Sequence, residues 1–157
     1  MICNTWTSFE NCHIVSIEDF FDKISQQWPY HARLGVICLN LSKNHISELP
    51  SDFITKLLNI FPNIKMVDLS RNGLKTYDEL MMLLSHQQIE MVSIRFNYIK
   101  YMDTFLNNLG DAQLEKLLWI PFADHYVNNK KLARYIHPSK NNIIINTHAH
   151  HTHMFVH

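Results

Sequence analysis

The chain has 157 residues, and its 14 Lys and Arg balance its 14 Asp and Glu to a formal net charge of +0. That length fits one domain, and the neutral balance argues against a dedicated binder of phosphate backbones, which would carry a basic patch and a high pI. A content of 46% hydrophobic and 18% charged residues excludes global disorder, and 3 Gly with 5 Pro are too few for a turn-dense β-sandwich.

In chain order, Cys12-His13-Ile14-Val15 reads as a first, degenerate strand. Ile17, Phe20, Phe21, Ile24 and Trp28 then recur at helical spacing, with Ser16 as a cap and Pro29 as a stop. That pattern predicts a helix over 17–28, placed as a lid on the open end of the core. Three segments follow that superimpose: Val36–Ile46, Ile64–Leu74 and Ile89–Ile99. Each reads apolar-x-x-apolar-x-apolar-x-x-Asn-x-apolar. Asn44 and Asn72 are 28 residues apart, and Asn72 and Asn97 are 25 apart. Inside each segment the pairs Leu39/Leu41, Val67/Leu69 and Val92/Ile94 alternate with polar residues, the period of a half-buried strand.

Between these strands the period changes to that of a helix. Ile54, Leu57, Leu58 and Phe61 follow Pro50 and a Ser51 cap. Leu80, Leu83 and Leu84 follow a capping box at Thr76–Glu79, and Met102, Phe105, Leu106 and Leu109 precede a candidate C′ glycine, Gly110. A degenerate fourth repeat, Leu114-x-x-Leu117-x-Trp119-x-x-Phe122, has Phe in place of Asn. A last helix is predicted over 129–136, before Pro138.

On these motifs the chain resembles the leucine-rich repeat family, and its strand–turn–helix units resemble the ribonuclease-inhibitor-like branch. The resemblance implies an α/β leucine-rich repeat solenoid: a short horseshoe with a parallel concave sheet, convex helices and helical caps over residues 1–137. Residues 138–157 read as a flexible His-rich tail. Asn44, Asn72 and Asn97 are expected to form a structural ladder, since a buried amide can satisfy backbone groups freed where each strand turns away.

The family's binding face is usually the concave sheet. Alternation sends three rows to that face: Cys38, Met66, Met91 and Lys116; then Asn40, Asp68, Ser93 and Leu118; then Ser42, Ser70 and Arg95. These residues are expected to be exposed and to bind a protein partner, with Lys43, Arg71 and Phe96 in the adjoining loops sharing the contact. The implied function is a non-enzymatic protein–protein interaction module, such as an adaptor, regulator or effector, acting as a monomer without cofactor.

Catalysis has little to stand on. No Walker A, G-x-S-x-G, H-E-x-x-H or G-x-G-x-x-G is present, and no His shares the predicted face with Cys38 or the serines. An alternative function is metal binding or sequestration by His148, His150, His151 and His153, which can capture Zn²⁺ or Ni²⁺ but lack a scaffold and a nearby Cys. A cluster of Lys130, Lys131 and Arg134 reads as ordinary compensation of a helix end, so no nucleic acid is expected. Cys3, Cys12 and Cys38 fit no disulfide framework and read as free thiols in a reducing compartment. With no signal peptide or membrane span evident, the expected location is the cytoplasm, or a host cytosol for a pathogen-derived factor. In that setting the sequon Asn40-Leu41-Ser42 reads as a chance match.

Overall fold

The computed structural model describes residues 6–117. The chain alternates strands and helices: β1 (Thr7–Ser8), α1 (Ile17–Gln27), α2 (Tyr30–Leu34), β2 (Cys38–Asn40), α3 (Phe53–Ile60), β3 (Met66–Asp68), α4 (Asp78–Ser85), β4 (Met91–Ser93), α5 (Met102–Asn108) and α6 (Asp111–Glu115). The four strands form one sheet in the order β1-β2-β3-β4, and every neighbouring pair is parallel. A parallel pair needs a long crossover, and here helices supply it. The fold is an α/β leucine-rich repeat solenoid.

The register follows the repeat. Cys38, Met66 and Met91 lie side by side, as do Leu39, Val67 and Val92, and then Asn40, Asp68 and Ser93. The middle row, with Leu41, Leu69 and Ile94, points toward the helices and is fully buried beside Phe53, Leu57, Phe61, Leu80, Leu83 and Phe105. Burying one such side chain contributes roughly 1.5–3 kcal/mol, so the stacked repeats, rather than any single helix of seven or eight residues, hold the fold.

The first strand lies earlier than expected. Thr7 and Ser8 pair with Leu39 and Asn40, while residues 12–15 are not a strand. The segment Thr7-x-Phe9-x-x-Cys12-x-Ile14 is therefore a further repeat unit, with Cys at the Asn position, a substitution the repeat allows. Helix α1 belongs to this unit. It packs beside α3, with the Phe21 and Phe53 rings stacked at 6.0 Å, and so continues the convex row rather than closing its end.

Helix starts also depart from expectation in part. The Ser16 hydroxyl accepts the Asp19 N–H at 3.2 Å, as an N-cap should. Helix α3 instead starts after Asp52, and α4 after Tyr77, neither with a side-chain cap bond, so the Ser51 cap and the Thr76 box do not form. Gly110 follows α5 with a φ of −76° and serves as the N-cap of the short α6. At the opposite end of α3 the capping is tertiary. Arg33 donates to the Asn59 and Ile60 carbonyls at the end of α3.

Among the described residues, no helix is long and apolar enough to cross a membrane. Leu118, Trp119, Phe122, the predicted last helix with Lys130, Lys131 and Arg134, and the histidine-rich segment with His148, His150, His151 and His153 lie outside the described residues.

Candidate functional site

Each of the three repeats built on β2, β3 and β4 ends in an asparagine whose amide ties it to the repeat before or after it. The Asn72 Nδ2 donates to the Leu41, Leu69 and Ser70 carbonyls at 3.0–3.1 Å, and its Oδ1 accepts the Ile46 N–H at 3.1 Å. Asn44 does the same between the first two units, donating to Phe9 and Leu41 carbonyls and accepting the Cys12 and Ile14 N–H groups. Asn97 donates to Leu69 and Ile94 and accepts from Leu74. No other side chain of this size offers both a donor and an acceptor in that geometry without bringing a charge.

The concave rows hold a correction. Alternation assigns their side correctly, since Cys38, Met66 and Met91 form a separate apolar cluster on the face opposite the helices. The expected exposure is overturned: Cys38 is 0%, Asp68 1% and Met91 8% exposed, and Asn40, Ser42, Met66, Ser70 and Ser93 are buried as well. Trp6 and Ile37 pack over the sulfur-rich row. In the next rows the side chains turn back onto their own strands. Asn40 Oδ1 accepts both the N–H and the hydroxyl of Ser42, at 2.9 and 2.6 Å, and Asp68 Oδ1 accepts the Ser70 N–H at 2.8 Å. A buried polar group needs a partner, and these find one two residues ahead. The free thiol expected at Cys38 is also corrected. Cys38 is disulfide-bonded, whereas Cys12 is a free, exposed thiol, so free cysteines no longer argue for a reducing compartment.

Among the described residues, Asp68 is the one buried carboxylate of this face. Loss of hydration raises its pKa from 3.8 to about 6, against the pull of the Ser70 hydrogen bonds and of Arg95. Arg95 is half-buried, and desolvation lowers its pKa while Asp68 opposes the shift.

Lys116 also departs from its expected place in the first row. Its ammonium donates to the carbonyls of Leu84 and His86, at 2.7 and 2.9 Å, and thus closes the C-terminal end of α4. Its backbone carbonyl accepts the Val92 N–H at 2.8 Å, so the main chain does continue the ladder past β4.

The accessible chemistry lies where the strands end. Asn11, Lys43, Arg71 and Phe96, one per repeat and each directly before the Cys or Asn position, adopt a φ of 54–57°. This left-handed conformation is uncommon for Lys, Arg and Phe. It is held by a backbone ladder in which Asn11, Lys43 and Arg71 donate to the carbonyls of Ser42, Ser70 and Arg95. The four side chains therefore leave the sheet in one file. Lys43 pairs with Glu10 at 2.9 Å. The Arg71 and Arg95 guanidiniums lie over the Phe96 ring, 4.4 and 5.1 Å from its centre. Phe96 is 47% exposed and Tyr98 73% exposed. A hollow of 480 Å³ opens between them, lined by Asn44, His45, Arg71, Asn72, Gly73, Phe96 and Tyr98. At the far end of the file the His13 and His45 rings stack at 5.9 Å.

Of this rim, Lys43, Arg71 and Phe96 were expected to share the contact. His45 and Tyr98 were not, and only their place two residues further along the repeat would have pointed to them. Among the described residues, no group of three or more His, Cys, Asp or Glu side chains is arranged to hold a metal ion.

No family model matches the chain. It is 29% identical over 90 residues to the tubulin-specific chaperone cofactor E-like protein of Rattus norvegicus, a match that covers 53% of this chain and 20% of that protein. The Homo sapiens protein of the same description is also 29% identical over 90 residues. The chain thus spans about a fifth of the length of the curated relatives it matches. A chain in the crystal structure of the Drosophila melanogaster SNF/U2A′ complex aligns with a TM-score of 0.46 and 14% identity, over 90% of this chain and 87% of that one.

Proposed function

We propose that this chain is a non-enzymatic protein-binding module that meets its partner along the rim where the strands end. The concave residues beneath act as the support that spaces this rim. The observation that carries the reading is the file of Lys43, Arg71 and Phe96, held outward by a left-handed backbone while the sheet face below is buried. Strain kept at successive exposed positions is typical of surfaces that do something other than fold. The helical convex segments support the ribonuclease-inhibitor-like form of the repeat. The rim offers a cation, two aromatic rings and an open hollow, the side-chain types enriched in protein interfaces.

Affinity capture from cell extract with quantitative mass spectrometry tests the reading, comparing the wild-type chain with Arg71→Glu/Phe96→Ala. Purified tubulin, named in the description of the relatives, is the first defined candidate. The double variant must melt like the wild type. Proteins held by the wild type and lost by the variant are the expected result, and an unchanged set would remove the rim as the binding surface.

A further inference from the structure

Lys43 already has a carboxylate in Glu10, and Arg95 lies within the field of the buried Asp68. Arg71 differs. It is exposed, its guanidinium rests on Phe96, and among the described residues no carboxylate pairs with it. The hollow beside it contains no acidic residue: two amides, one imidazole, one guanidinium, one glycine and two aromatic rings line it. The two guanidiniums over one ring are like charges held close, and Arg71 lowers the pKa of Arg95. Such a pair is relieved by an incoming anion. Stacking on the ring also fixes the planar fork of Arg71 before any ligand arrives, which lowers the ordering cost of a bidentate contact.

We infer that the rim recognises an acidic segment of a protein partner, one that sets a carboxylate on Arg71 and an apolar side chain against Phe96 and Tyr98. The inference rests on the rim-binding function above and names the chemistry of its partner. A polypeptide suits the site better than a nucleic acid. The neutral chain offers few uncommitted cations along the rim, whereas nucleic-acid affinity comes from neutralising many phosphates at once.

The test is fluorescence anisotropy with the whole chain and a short fluorescein-labelled peptide alternating Glu with Leu. Its Gln-for-Glu analogue and a single-stranded oligonucleotide of equal net charge serve as comparisons. The acidic peptide should bind and weaken with added salt, and the Gln analogue should not bind. Arg71→Gln should weaken binding roughly tenfold or more, as expected when one charge-assisted hydrogen bond is lost. Tyr98→Ala, at a largely exposed position, should weaken it less and provides a second variant should Arg71→Gln fold poorly. No binding of the acidic peptide, equal binding of the Gln analogue, wild-type affinity in both variants, or tighter binding of the oligonucleotide would each overturn the inference. If the capture experiment succeeds while the peptide fails, only the acidic chemistry falls. If rim variants capture the same proteins as the wild type, the binding surface itself is wrong.

Discussion

Asp68 and Arg71 are three residues apart, yet Asp68 is 1% exposed and Arg71 stands in solvent. On the concave face polar side chains are committed inward: Asn40 to Ser42, Asp68 to Ser70 and, just beyond, the ladder asparagines to the backbone. Along the rim the backbone is committed, and the side chain of Arg71 has no such partner among the described residues. Arg71 gives its N–H to Arg95 and leaves its guanidinium stacked but without a carboxylate among the described residues. In a short solenoid the face nearest the backbone can thus serve as structure, and the place where each strand ends can serve as surface.

The comparison breaks most visibly at the ladder. Replacing Asn72 with Leu strips partners from three carbonyls and one N–H at a buried site. At about 1–3 kcal/mol per orphaned group, a loss of roughly 4 kcal/mol is expected, and a urea midpoint would show it. An unchanged midpoint would mean that water reaches the turn and that the face is not dry.

Asp68 sharpens the same point through pH. Its folded pKa, about 6, lies above the ordinary value of 3.8, so the folded state holds the proton more tightly than the unfolded one between those values. Stability must therefore fall as pH rises from about 4 to about 6, by up to ~3 kcal/mol for a shift of this size. Asp68→Asn should remove that slope in denaturation curves taken across the window, while keeping the acceptor for Ser70, as Asn40 does one repeat earlier. A slope that persists in the variant would assign the titration to another group.

Smaller effects follow. Lys116→Met removes two bonds to the end of α4 and should cost about 1–2 kcal/mol by thermal melting. A silent substitution would return Lys116 to the surface. Arg71→Gln should change stability by no more than about 0.5 kcal/mol, because the residue is exposed and its backbone conformation is unaltered. A large loss there would show that the rim, too, is structural.

The three good repeats were legible because each demands apolar residues and one Asn at fixed spacing. Leu39, Val67 and Val92 lie where that spacing puts them, opposite one another in the sheet. The N-terminal unit was not legible as a repeat: Thr7 is polar, Cys12 stands for Asn, and the unit lies 32 residues before its successor, from Thr7 to Leu39. The rim was half legible. Left-handed positions usually advertise themselves by Gly or Asn, and only Asn11 does so here, while Lys43, Arg71 and Phe96 carry no such mark.

The sequence by itself determined the parallel solenoid, the inward rows and the asparagine ladder, because periodicity and hydrogen-bonding capacity are properties of the residues. It also assigned each strand residue to a side of the sheet, since the pleat alternates with period two. Only the tertiary structure decided whether that side was covered. Burial of Cys38 beside Met66 and Met91, the turn of Lys116 toward α4 and the stacking of Arg71 on Phe96 depend on neighbours from other repeats, and those contacts leave no trace in the local pattern.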